Sequence, residues 1–275
     1  MRSYWLALVA ILLAACTPSL TIVATPTPLP PPQTPQAVLI AGAETIAPTL
    51  QTLASVYQQR NAGIKITLIE RADTLALQAL EQGDANLIVS MGAPAQITTT
   101  LWTTPFARDG LAIIVNPQNG LPGLTLEQAR QLFQGQVENW ELWGGLPGSP
   151  QIVSREEASG EFILFQHGVM KDVRVASTAM LAPGSDAVLE LVSSDPMAIG
   201  YLSSAHINDT VRALAISGIP PAPEAVSTGA YPLTYELYWV AMSDPQGAAR
   251  DFVQWALGPE GQGIVAGHGF MPLSP

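Results

Sequence analysis

Short apolar runs alternate with amphipathic segments along most of this chain, and that alternation points to an α/β fold. Residues 37–41, 65–69 and 87–90 read as strands, with helices expected over 46–60 and 75–82 between them. Residues 110–116 form a continuous apolar strand, and residues 126–133 a short helix that ends at Gly135. A helix over 186–193 is expected to be capped by Ser185-Asp186 and stopped near Pro196. Residues 235–242 are the last long strand, and residues 246–257 a closing helix.

The most informative local stretch runs from Ile152 through Ser154-Arg155-Glu156-Glu157-Ala158-Ser159-Gly160 into the apolar run 162–169. It has the pattern of a strand, a tight polar turn and a helix start. Gly160 lets backbone approach closely, Ser159 can cap the helix, the first-turn N–H groups lack intrahelical partners, and Arg155 adds forked donors. Such a turn can hold an anion. It can equally be a capped surface helix beside a solvated arginine.

The N-terminus has a separate design. Arg2 precedes an apolar run from Trp5 to Leu13, and Leu13-Ala14-Ala15-Cys16 is a small-residue cleavage site ending in cysteine. The run is shorter than the ~20 residues a membrane span needs, so residues 1–15 are expected to be a signal peptide. Cys16 is the only cysteine, which excludes an internal disulfide and makes lipid attachment its natural use. Similarity to bacterial lipoproteins implies cleavage before Cys16 and an extracytoplasmic chain held on the cell membrane by lipid. Residues 16–36, rich in Pro and Thr, are expected to be an extended tether.

Composition narrows the function. A net charge of −11 with only two lysines, Lys65 and Lys171, argues against nucleic acid and against binding anionic membranes by charge. His167, His206 and His268 follow no metal-ligand spacing, so neither a metal nor another cofactor is expected. There is no nucleophile elbow, Walker loop or dinucleotide fingerprint, and adjacent Glu156-Glu157 would diverge in a turn; no enzymatic activity and no catalytic residue are expected.

The segment Ser154-Arg155-Glu156 to Gly160 resembles the S-R-E-x-G-S-G-T motif of substrate-binding proteins of phosphate-type ABC transporters. The resemblance extends, in that family's order, over roughly residues 37 to 273. It includes Ala41-Gly42-Ala43-Glu44-Thr45, Asp109-Gly110-Leu111, Ala198-Ile199-Gly200-Tyr201 and Gly258-Pro259-Glu260-Gly261-Gln262. It implies a two-lobed type II periplasmic binding protein-like fold over 37–275, each lobe a sheet flanked by helices. Lobe one would combine about 37–105 with 236–275, and lobe two would hold 106–235, with crossings near 104–112 and 228–238.

The resemblance also implies ligand contacts at Thr45, Ser90, Arg155, Ser159 and Gly160. Glu44, Asp73, Glu161 and Ser185 are further candidates, because they stand at expected helix starts facing the same cleft. The implied function is capture of a small oxyanion, phosphate being the simplest, by a monomer that presents it to an ABC permease. The alternatives are a non-phosphate ligand, or a diverged surface lipoprotein with a sensory or protein-binding role. Several residues depart from the family pattern: Ala43 and Ala158 replace serine and glycine, Glu161 replaces threonine, Arg71-Ala72-Asp73 replaces a Gly-Ser-Gly-like turn, and Met91 follows Ser90. Glu44 and Glu161 would either serve a helix dipole from solvent or pair with Arg155.

Overall fold

A computed structural model describes residues 36–93, 101–171 and 173–273. The signal peptide, Cys16 and residues 16–35 of the expected tether lie outside the described residues, whereas Gln36, its expected last residue, is the first residue of a strand. Among those described, no helix is long and apolar enough to cross a membrane.

The first half of the chain forms β1 (Gln36–Gly42), α1 (Ala47–Arg60), β2 (Ile64–Glu70), α2 (Asp73–Gln82), β3 (Leu87–Met91), β4 (Trp102–Val115), β5 (Gly123–Leu124) and α3 (Leu126–Phe133). Next come β6 (Gln151–Arg155), α4 (Gly160–Phe165), β7 (Met180–Ala182), α5 (Ser185–Ser194), β8 (Ala198–Ser203), β9 (Arg212–Ala213) and β10 (Ala215–Ile216). The chain closes with α6 (Pro223–Ser227), β11 (Thr234–Ala241), α7 (Gly247–Leu257), α8 (Pro259–Gly267) and β12 (Met271–Pro272). The expected α/β alternation is therefore present throughout the described residues.

Eight strands run in the order β2-β1-β3-β11-β4-β8-β6-β7, with β9 and β12 also paired to β4. The outer strands on each side pair in parallel, β2-β1-β3 on one and β8-β6-β7 on the other, and β11 and β4 run antiparallel between them. The sheet is continuous because β4 changes partner along its length. Residues 102–110 of β4 pair with β11, and Leu111–Val115 pair with β8. Gly110 sits at the change, where an added Cβ would come 3.0 Å from Val226 and 3.2 Å from Tyr231. Its backbone thus approaches closer than a side chain allows.

Asp109, one residue earlier, is buried and fully engaged. Its Oδ1 accepts from the Gly110 N–H at 2.7 Å and the Ser204 hydroxyl at 2.6 Å, and its Oδ2 accepts from the Ser203 and Tyr235 hydroxyls. One carboxyl thereby ties β4, β8 and β11 together where the strand crosses. Desolvation by burial, then the neighbouring Asp109, pushes the Tyr235 phenol well above its usual range.

Helix α3 shows local sequence and structure in agreement: Thr125 accepts from the Gln128 N–H while the Gln128 side chain accepts from the Thr125 N–H, a reciprocal cap. Helix α5 differs from expectation. Gly184 is its N-cap residue and Ser185 its first helical residue, so the Ser185 N–H is left for another partner. In the core beneath the site, the rings of Phe165 and Tyr201 stack 4.0 Å apart and Phe133 meets Phe165 edge-on. Trp140 is completely buried.

Candidate functional site

Four chain segments distant in sequence converge where β1, β6 and the N-terminal ends of α2, α4 and α5 meet. The strand–turn–helix around Arg155 is formed as expected: β6 ends at Arg155, and Ser159 caps α4 by accepting from the Phe162 N–H at 3.1 Å. The end of β6 is fixed from below. The Tyr201 hydroxyl lies 2.9 Å from the Ser154 hydroxyl and accepts from the Arg155 N–H at 3.2 Å. Burial raises the Tyr201 phenol to about 12, so it stays a neutral hydrogen-bonding post. Nothing in the local sequence marks Tyr201 for this role, because Ser154 is 47 positions away.

Arg155 is 3 % exposed, and its charge meets two carboxylates. Its Nη2 donates to Glu44 Oε1 at 3.1 Å, and its Nη1 lies 3.3 Å from Glu161 Oε1 without hydrogen-bond alignment. The same Glu44 oxygen accepts from the Ser185 N–H at 2.9 Å and from the Ser185 hydroxyl at 3.1 Å. Gly184 packs directly on this group, an added Cβ there lying in ordinary contact at 3.4 Å from the Glu44 carboxyl. Three donors, one of them at the N-terminus of the ten-residue helix α5, thus hold one carboxylate oxygen.

Glu161, the first-turn residue of α4, is completely buried and its Oε1 accepts from the Thr45 hydroxyl. Asp73, at the start of α2, accepts from the Met91 N–H at 2.8 Å through Oδ2. That oxygen would be 2.8 Å from a Cβ added at Gly160, as would the side chain of Met91. Gly160 is therefore required for α4 to pack on α2 and β3. Burial, offset by the Met91 N–H and reinforced by Glu161, lifts the Asp73 carboxyl to about 7.

The structure thus brings together Glu44, Thr45, Asp73, Arg155, Ser159, Gly160, Glu161 and Ser185. It turns both glutamates inward, against the expectation that their place at helix starts could leave them to solvent; the buried guanidinium supplies the charge that makes this tolerable. Ser90 makes no hydrogen bond to this cluster; it donates to the Gly92 carbonyl at 3.2 Å and lines, with Asp73 and Met91, an adjoining groove of about 400 Å³. Glu156 and Glu157 are exposed. Among the described residues no three His, Cys, Asp or Glu side chains are grouped to hold a metal ion.

Comparison with known proteins gives a consistent result. Residues 29–260 match the PBP superfamily domain. The phosphate-binding protein PstS of Bacillus subtilis is 28% identical over 60% of this chain and 55% of its own length, so the chain aligns with little more than half of that relative. The phosphate-binding protein PstS of Borreliella burgdorferi is 21% identical over 86% of this chain and 90% of its own. Among solved structures, a Clostridium perfringens chain with bound phosphate superposes with a TM-score of 0.80 at 24% identity, covering 87% of this chain and all of that one. An ABC-type phosphate transport receptor from Vibrio cholerae gives 0.77 at 24% identity, over 86% of this chain and all of its own.

Proposed function

Because this chain belongs to the PBP superfamily domain family, with a two-lobed fold of the type II periplasmic binding protein kind, we propose that it is the solute-binding protein of an ABC transporter. In this reading residues 1–15 are removed, Cys16 carries lipid, and residues 16–36 tether the binding domain outside the cell membrane. The domain is a monomer whose lobes, about 37–105 with 236–275 and about 106–235, close on a solute and present it to a permease. The solute carries an oxyanion group, phosphate being the simplest choice given the names of the relatives.

The observation that carries this reading is the convergence of the Arg155 guanidinium, the Ser185 N–H and the Ser185 hydroxyl on a single carboxylate oxygen. These groups bind an oxyanion already, the one on Glu44. Thr45, Ser159 and Gly160 complete the surroundings: Thr45 brings a hydroxyl, Ser159 fixes the turn and Gly160 allows close approach. Calorimetric titration of the full chain, unfolded and refolded to strip carried-over solute, tests it. Micromolar or tighter phosphate binding that disappears in Arg155→Ala is expected; a folded protein that ignores phosphate and sulfate would defeat the phosphate assignment.

A second reading keeps the fold and the transporter and changes the solute. It is favoured by Glu44 and Glu161, which both lie on Arg155. Two like charges 4 Å apart cost about 4 kcal/mol at an effective dielectric constant of 20, so a phosphate dianion entering beside these carboxyls meets repulsion that Arg155 alone does not offset.

A further inference from the structure

Eight buried side-chain polar atoms among the described residues lack a hydrogen-bond partner, and four of them lie on three residues of one cluster. They are Arg155 Nε and Nη1, Glu161 Oε2 and Asp73 Oδ1. Arg155 is 3 %, Glu161 0 % and Asp73 8 % exposed, so these atoms are shielded from bulk solvent. Buried polar groups are nearly always paired, and a site that leaves both donors and acceptors open is built for a molecule that has both.

Resting on the Arg155 site of the preceding section, we infer that the solute is a small zwitterion, with a carboxylate on Arg155 and Ser185 and an ammonium group facing Glu161 and Asp73. The acidic end is indicated by what the structure puts there. Glu44 Oε1 occupies the donors of Arg155 and Ser185, yet the Glu44 side chain is 31% exposed, unlike the fully buried Glu161, and can swing outward to give up its place. A solute carboxylate then inherits the same three donors.

The basic end is indicated by charge. With Glu44 displaced by a solute carboxylate, one guanidinium faces two carboxylates, that of the solute and that of Glu161, beside an Asp73 carboxyl that titrates near 7, and a solute that added only negative charge would leave this excess unbalanced. An ammonium group gives three donors to oxygens that now have none. The two ends are within the span of one small molecule, because the Thr45 hydroxyl that donates to Glu161 is also 3.3 Å from Glu44 Oε1.

The test is calorimetric titration of the refolded full chain with glycine, L-alanine and β-alanine, with acetate and methylamine as the separate halves, and with phosphate. At least one zwitterion is expected to bind tenfold or more tightly than either half, with binding lost in Arg155→Ala and reduced at least tenfold in Glu161→Gln. The exposed-site variant Glu156→Gln should bind as the parent does, and circular dichroism should show all variants folded. Phosphate binding that strengthens in Glu161→Gln while no zwitterion binds would overturn the inference and leave the oxyanion reading standing. Silence toward every probe would overturn both the inference and the phosphate assignment.

Discussion

At the scale of single residues, Asp73 has the plainest consequence. Its carboxyl titrates near 7 in the folded chain, mainly because burial disfavours its charge, against 3.8 for the ordinary group. Between pH 4 and 7 the native state therefore holds a proton that the unfolded state has released. Stability from this residue is full below pH 4 and is lost as pH rises toward 7, with a steepest slope of about 1.4 kcal/mol per pH unit. Urea midpoints measured from pH 4 to 8 should show this decline, and Asp73→Asn should flatten it while keeping an oxygen for the Met91 N–H. The residues themselves were legible in the sequence, since Glu44, Asp73, Arg155, Glu161 and Ser185 all stand at expected strand ends or helix starts. Their mutual orientation was not. Glu44 meets Arg155 across 111 positions and Thr45 meets Glu161 across 116, and no local pattern encodes which way a carboxyl turns when its partner comes from that distance.

At the scale of elements, the turn between β6 and α4 was legible because capping and glycine signals are local. Its energetics are correspondingly local. Ser159→Ala removes the acceptor for the Phe162 N–H and should lower stability by about 1 kcal/mol in chemical denaturation. Gly160→Ala has a different signature: its new methyl group would press on Asp73 and Met91 at 2.8 Å, so it should weaken solute binding at least tenfold in titration by moving α4 off α2 and β3. Strand β4 shows where local signals fail. Only residues 110–116 read as a strand, whereas β4 begins at Trp102 and runs for 14 residues. Thr103-Thr104-Pro105 and Arg108-Asp109 interrupt any apolar run, and proline argues against a strand interior. Pairing with β11 on one side overrides those preferences, and Asp109 is acceptable within the strand because four donors satisfy it.

For the whole molecule, the crossing of β4 decides how the two halves are joined. The hub at Asp109 draws its hydroxyl partners from 94 to 126 positions away, so it had no signature in the sequence beyond the short Asp109-Gly110-Leu111 resemblance. Asp109→Ala would strand the hydroxyls of Ser203, Ser204 and Tyr235, and a loss of about 3 kcal/mol is expected in urea denaturation, the upper range for hydrogen bonds to a charged group. The unbroken sheet has a further consequence for anyone recombining such proteins. A chimera that takes one half from a relative must be cut inside β4 and again near β11, and the strand registers must match at both junctions. A single crossover instead leaves a severed strand with an open edge, an invitation to pair with other chains and aggregate. The two ends of this sheet can therefore be exchanged only when both junctions are matched.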